Sequence, residues 1–598
     1  MLQNGRKSIF LAYAERLCDR IGVADLPRRA RAWYGRADGR LKKGIFGALV
    51  SGEYDRMGWQ YRLRRRGMQM RERSAIVRLR NRAGRYLLDS SLGYVGLWLL
   101  ISGLSLLILS LILGRGSARE GEIEACALLI LLAMPLLGST RSLGQRVPES
   151  RLLGRFLFGF CGRCPDELGE LERGRARPLG VLVAAMVTTL LGGLLSVRTL
   201  FAFLILFPVL LLLLSIPELA LLAFLGAFPL CFLSEHPTGM ICLLALVVHL
   251  SFLSKIYCGR RDFSLETVDL FVLLFCLLLL LGGLFGYGEL SDGIVLSLLA
   301  SLYFPAVHLL SSARWRRRAV VLLLAGALLS PLLGIYQYFF TDLPALWLDT
   351  ERFSDLGGRV TGVFGNPNVL GIYLLLIFPM SASLVLSAKE RVWARVLSAL
   401  VSLSILFCAV LTWSRGAWLA ILAELFLILL FSGTRSAALC LLSPIGVLAV
   451  IPFLPSNVLH RFLSIGSLAD SSIRYRIYTW RGVLRMIGEH PFGIGVGETA
   501  FRRVYPQYAV SGIETVMHAH QVPLQLAAEL GIVGVVTLGT AFLFLIARGI
   551  GRAESYGCAY ALCGAIVMGV FDHLWYAKGM IAFVFIVAAF AAGGRERV

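Results

Sequence analysis

The residues best able to do chemistry stand where long apolar runs begin or end. Arg359 lies in Gly358-Arg359-Val360-Thr361-Gly362-Val363-Phe364-Gly365-Asn366-Pro367-Asn368, just ahead of an apolar segment opening near Val369. Its glycines and Asn-Pro are turn formers. The structural expectation is an entry turn with Asn368 capping the helix. The chemical one is a guanidinium held at the mouth of a bundle, where its planar fork grips phosphate oxygens. Arg415, in Trp413-Ser414-Arg415-Gly416, sits in a junction between two apolar runs so short that it forms a tight hairpin. Met517-His518-Ala519-His520-Gln521-Val522-Pro523 supplies imidazoles, which can take a proton from a hydroxyl near neutral pH. Asp572 and His573, at the end of a later apolar run, offer an orienting carboxylate or a second base. Histidines at i and i+2 do not share a helix face, so a two-histidine metal site on a regular helix is not expected. Cys161 and Cys164 form a lone CxxC without a second pair of ligands nearby. The reading calls for no metal and no cofactor.

A polar stretch at 455–522 carries the remaining candidates. From Ser472 to Glu489, Arg474, Arg481 and Arg485 recur at helical spacings with Ile473, Ile477, Trp480, Val483 and Leu484 between them. This predicts an amphipathic helix lying at the membrane interface. Arg474, Arg476 and Arg481, with His518, Asn366 and Asn368, are candidates for substrate binding. Gly493, Gly495 and Gly497 give a GxGxG pattern with no preceding strand, so a mobile turn is expected rather than a dinucleotide site.

The elements that must position these residues are membrane helices. Of 598 residues 57% are hydrophobic and 16% charged, and the mean hydropathy is +0.74, far from the balance of a soluble domain. About 16 apolar segments reach the length scale of a bilayer span, the first opening near Leu92. The fold class expected is all-α: a polytopic transmembrane helical bundle of about 14–16 spans with a large extracytoplasmic loop containing an amphipathic helix. Most of the 12 cysteines fall inside apolar runs, as small hydrophobes rather than a disulfide framework. Alternate short loops are basic: Lys255 with Arg260 and Arg261, then Arg314 with Arg316 to Arg318, then Lys389, Arg391 and Arg395, then Arg435, then Arg548 and Arg552. The positive-inside rule puts these on the cytoplasmic side. Both termini are then expected inside and the loops 341–368 and 455–522 outside.

Residues 1–90 hold 22 basic and 8 acidic side chains. With no signal-peptide pattern ahead of the first apolar run, this segment is expected to be cytoplasmic, on anionic lipid headgroups rather than nucleic acid. The domain reading is 1–90 as this basic segment, 91–340 as an amino-terminal transmembrane bundle, and 341–598 as the catalytic membrane region. Glu424, an ionisable residue inside a span, is expected to pair with a buried arginine or face the bundle.

Four stretches resemble the integral-membrane O-antigen ligases and polysaccharide polymerases that act on polyprenyl-diphosphate-linked glycans. They are RVTGVFGNPNVLG from Arg359, WSRGAWL from Trp413, RYRIYTWRGVLRMIGEHPFGIGVGETAF from Arg474, and HAHQVPLQLAAELGIVG from His518. The resemblance implies a metal-independent glycosyltransferase of the plasma or inner membrane with its site facing outward. Arg359 and Arg415 would hold the donor diphosphate, and His520 would activate the acceptor hydroxyl. The position after His520 is Gln521 where the family commonly has Asn, and His518 stands as the second candidate for the base. The partners implied are the lipid-linked donor and a glycan, lipid or protein acceptor. Two readings compete: a flippase for the same lipid-linked glycans, which predicts a lined polar pathway inside the bundle where the spans are nearly charge-free, and an assembly scaffold, which leaves His520 without a role.

Overall fold

The structure, a computed structural model, describes residues 9–43, 65, 66, 69, 90–113, 119–161, 178–195, 197–257, 261, 263–341, 358–433, 436–438, 440, 471–513 and 515–593. These residues are helical, with no β-strand among them. In chain order the principal helices are α1 (Ile9–Ile21), α2 (Leu26–Lys43), α3 (Leu92–Leu113), α4 (Arg119–Leu137), α5 (Pro178–Leu195), α6 (Val197–Ser215), α7 (Pro217–Cys231), α8 (Pro237–Tyr257), α9 (Thr267–Leu284) and α10 (Leu290–Ala300). They continue with α11 (Tyr303–Leu309), α12 (Ala313–Phe340), α13 (Pro367–Leu386), α14 (Val392–Leu411), α15 (Arg415–Phe431), α16 (Ser471–Glu489), α17 (Glu498–Val504), α18 (Val522–Gly549), α19 (Cys558–Phe571) and α20 (Met580–Ala592). Eight candidate spans among the described residues are long and apolar enough to cross a bilayer, and six more apolar helices are shorter. One of the apolar segments counted from the sequence, at 436–454, lies mostly outside the described residues.

The chain divides into two compact units, 1–53 with 220–250 and 263–598, and 54–219 with 251–262. In the smaller unit α3 packs on α4 through Leu106, Cys126 and Leu129. Trp98 Nε1 donates to Thr188 Oγ1 at 3.1 Å, tying α3 to α5.

The larger unit is built around α13 and α20. Every residue of α20 is buried, and α13 buries Val369 through Ala382 without interruption. A helix apolar on all sides belongs in the middle of a bundle. Ring contacts stitch this centre together: Phe228 with Phe583, Tyr373 with Phe583, and Phe364 with Tyr373, at centroid separations of 5.0, 5.2 and 4.8 Å. Helices α1 and α2 belong to the same unit. Trp33 and Tyr34 pack edge-on against Phe544, Arg31 donates to the Ile550 carbonyl, and Asp38 accepts from Thr267.

Helix α16 forms as the arginine and apolar spacing predicts, with a different environment for its apolar face. Val483 and Met486 are buried against Ile494, Phe501, Tyr505 and Ala528, so that part of the face packs on protein, while Leu484 stays exposed.

Candidate functional site

Four turns meet at one end of the larger unit, and the site grows from how each is made. At the first, the Asn366 side chain accepts from the backbone N–H groups of Asn368 at 2.8 Å and Val369 at 3.4 Å, with Pro367 opening α13. The cap is therefore Asn366, not Asn368 as expected. Proline is preorganised for the first helical position, which makes the residue before it the cap. The Asn368 amide is thereby released for other work. Its Oδ1 accepts from Arg359 at 2.8 Å and its Nδ2 donates to Asp572 at 2.8 Å. Arg359 is buried, and its Nε donates to the Thr412 carbonyl at 2.7 Å.

The second turn is the expected hairpin between α14 and α15. It reverses at Trp413, whose φ of 53° is left-handed, and leaves Arg415 buried at the start of α15. The third turn holds the histidines. His520 also has a left-handed backbone, φ 50°, so the segment is not a regular helix and the argument from i, i+2 spacing does not apply to it. His518 and His520 rings lie 4.1 Å apart, and His518 also meets His573 at 5.5 Å and Tyr576 at 5.2 Å.

The fourth turn, after α19, supplies Asp572, where the others converge. Its carboxylate accepts from Asn368, from the His573 backbone N–H at 2.9 Å, and from His520 Nδ1 at 3.3 Å. Burial alone would raise the Asp572 pKa. The His520 hydrogen bond and the charges of His520, Arg476 and His518 outweigh it and hold the carboxyl well below its ordinary range. An ionised carboxylate only accepts, so the proton of this contact sits on His520 Nδ1 and leaves Nε2 as the basic nitrogen. Burial, then the neighbouring His520 and His573, keep His518 well below an ordinary imidazole. Burial likewise brings His573 down to about 3.

A cleft opens beside this network, lined by Arg359, Asn368, Ser414, Arg415, Arg476 and Asp572, with Trp413, Met568 and Phe571 as its apolar side. His520 adjoins the cleft through Asp572. Of the other sequence candidates, Arg474 and Arg481 are exposed on α16 and do not line it; the Arg481 guanidinium lies 5.6 Å from the Tyr478 ring centroid. Arg476, on the same helix, does line it. The cleft thus joins guanidinium groups suited to phosphate oxygens with an imidazole polarised by a carboxylate. Ligand atoms of His518, His520 and Asp572 also lie within 4.8 Å of one another, a spacing at which they could hold a metal ion.

The stretch 399–539 matches the O-antigen ligase family. These residues form an O-antigen ligase family domain. The comparison with curated proteins returns no match. The O-antigen ligase domain contains Arg415, Arg476, His518 and His520, while Arg359, Asn368 and Asp572 reach the same cleft from outside the matched stretch. The protein is a multi-pass membrane protein that carries this domain.

The glycines that suggested a mobile turn do something else. Ile494, Val496 and Gly497 are buried. Ile494 N–H donates to the Ala528 carbonyl at 2.8 Å, Gly495 N–H to Glu529 at 3.1 Å, and Val496 N–H to Gly282 at 2.9 Å. The segment is a strap threaded between α9 and α18, and it meets α18 where Gly531, at φ 67° and ψ −172°, breaks the helix. Buried backbone must pair its hydrogen-bonding groups, and a kinked helix offers carbonyls to pair with. Glu424 is fully buried, and its carboxylate oxygens have no hydrogen-bond partner among the described residues. They lie so close to Gly564 on α19 that a side chain there would overlap them.

Proposed function

We propose that this protein is a membrane glycosyltransferase that transfers or polymerises a polyprenyl-diphosphate-linked oligosaccharide for cell-surface polysaccharide, without a metal, at a site facing away from the cytoplasm. The observation that carries the reading is the hydrogen-bonded line Arg359–Asn368–Asp572–His520 beside a cleft that also holds Arg415 and Arg476. It supports the reading because guanidinium groups suited to a diphosphate and an imidazole suited to take a proton belong to one hydrogen-bonded network.

In this mechanism Arg359 and Arg415 grip the donor diphosphate, and Arg476 adds positive charge beside them. His520 Nε2 takes the proton from the acceptor hydroxyl as its oxygen bonds to the anomeric carbon. The bond from that carbon to the diphosphate oxygen breaks, and its electron pair leaves with the diphosphate. Fixed guanidinium donors stabilise the charge that grows on the leaving oxygen. Asp572 keeps His520 in the productive tautomer and balances the imidazolium that forms. Asn368 holds Arg359 and Asp572 in register, so clamp and base move together. Asn366 supports this core by fixing the start of α13, and His518 by packing against His520; Arg474 and Arg481, exposed and outside the cleft, take no part in it.

The test uses purified, reconstituted protein with lipid-linked glycan extracted from producing cells that lack it, in the presence of EDTA. Wild type is expected to form product. His520→Ala is expected to lose about 10²-fold or more in turnover, the usual range for a general base. Arg359→Lys is expected to lose turnover as well, because a point charge does not replace a bidentate fork. Activity abolished by EDTA and restored by zinc would instead make the His518, His520 and Asp572 cluster a metal centre. Glycan carried across the bilayer without product would support the flippase.

A further inference from the structure

His520 occupies a left-handed backbone position that a non-glycine residue adopts only when its surroundings enforce it. Two hydrogen bonds enforce it here, one on each side of Ala519, the first buried and the second partly so. The Gln525 Oε1 accepts from the Ala519 N–H at 2.7 Å, which fixes the peptide between His518 and Ala519. Trp480 Nε1 donates to the Ala519 carbonyl at 2.9 Å, which fixes the peptide between Ala519 and His520. The first clamp comes from the opening turns of α18 and the second from α16.

Gln525 is itself held. Its Nε2 donates to Glu529 Oε1 at 2.9 Å, and the same oxygen accepts from the Gly497 N–H of the glycine strap at 3.1 Å. Gln525 and Glu529 are both buried, and neither they nor Trp480 line the cleft. An amide at 525 suits this arrangement because it must accept at one end and donate at the other. A buried chain of this kind fixes geometry only while every member is satisfied.

We propose that Gln525, Glu529 and Trp480 are positioning residues for His520, setting the rate of the chemical step through the Ala519 peptides without touching either substrate. The proposal rests on His520 being the base. A side chain that only stabilises the fold would lower the yield of inserted protein; one that aims the imidazole lowers turnover and leaves donor affinity in place.

The wiring permits a test by exchange. Gln525→Glu keeps the acceptor for Ala519 but sets a carboxylate against Glu529. Adding Glu529→Gln restores the chain with its direction reversed: the carboxylate introduced at position 525 accepts from Ala519 and from the amide introduced at position 529, and that amide still accepts from Gly497. Reconstituted variants would be assayed on the same extracted lipid-linked glycan. Gln525→Glu is expected to lose at least tenfold in kcat with the donor KM within twofold of wild type. The double variant is expected to regain the turnover of Glu529→Gln alone. Trp480→Phe, which keeps a ring but removes the donor, is expected to lose kcat with KM unchanged. If Gln525→Glu does not insert, Trp480→Phe and the comparison of the double variant with Glu529→Gln still decide. Wild-type turnover in Gln525→Glu and Trp480→Phe, or a double variant no better than Gln525→Glu, would overturn the proposal. His520→Ala in the same series separates the two claims: if it keeps turnover the base assignment fails, and if it alone is inactive only the positioning role fails.

Discussion

At the scale of single residues, two histidines beside Asp572 bear on where the protein is stable. His518 and His573 are held neutral by burial, whereas in the unfolded chain they titrate near the ordinary imidazole value of about 6.5. As pH falls from about 6.5 toward 3 the unfolded chain takes up protons that folded His573 does not. Stability from this group is therefore complete above that range and is lost on acidification. The slope is about 1.4 kcal/mol per pH unit for each proton. His573→Gln removes one such proton, so the drop in thermal midpoint between about pH 7 and about pH 4.5 should be smaller in the variant than in wild type, measured in detergent under one protocol. An equal drop would mean that His573 is protonated in the folded protein. Sequence reading reached Arg359, Arg415, His520 and Asp572 because each stands at the edge of an apolar run. It assigned the helix cap to Asn368 because it took the residue nearest the apolar run. Asn368 in fact links residues far apart in the chain, Arg359 and Asp572, and no local pattern reports a partner 204 positions away.

At the scale of elements, the strap and the break in α18 form one device. Gly497 has φ 106° and ψ 163°, a region open essentially to glycine alone. A Cβ there would land on the carboxylate of Asp292, which is paired with Lys578. Gly497→Ala should therefore cost at least about 1–3 kcal/mol from backbone conformation, before the overlap is counted, and should disturb the Glu529 end of the chain leading to Ala519. Gly488, in α16 with open space where its Cβ would go, provides the control. Thermal midpoints of Gly497→Ala and Gly488→Ala would be compared; equal values would remove the strap from the account of what holds α18. The helices themselves were legible, because long apolar runs have few alternatives in a membrane. The strap was not: its glycines fit a loose loop equally well, and only the carbonyls of α9 and α18 explain why this backbone is buried.

At the scale of the whole molecule, the question is which side of the membrane the cleft faces, and the larger unit ties this to its helix ends. The last turn of α12 is fastened to the first site turn, with Gln337 and Gly362 exchanging hydrogen bonds at 3.0 and 2.8 Å. The first two turns of α12 carry Arg314, Arg316, Arg317 and Arg318. There Arg316 donates to the Glu554 carbonyl at 3.2 Å, just beyond the end of α18, and Arg317 pairs with Glu390 at 2.8 Å, just before α14. Three helices thus share a basic end, while Gln337 of α12, Thr412 after α14 and Val522 of α18 stand at the end that holds the cleft. Helix α12 has 28 residues, about 42 Å at 1.5 Å per residue, enough to separate the two ends by a full bilayer of about 30 Å. With the basic end retained inside, the cleft is expected to face outward, the side on which the proposed donor and acceptor would meet. In a cysteine-free background, Met517→Cys and Trp393→Cys place exposed thiols at the two ends. A membrane-impermeant maleimide added to intact spheroplasts should label position 517 at once and position 393 only after permeabilisation. The reverse pattern would put the cleft in the cytoplasm and rule out assembly of polysaccharide at the outer face.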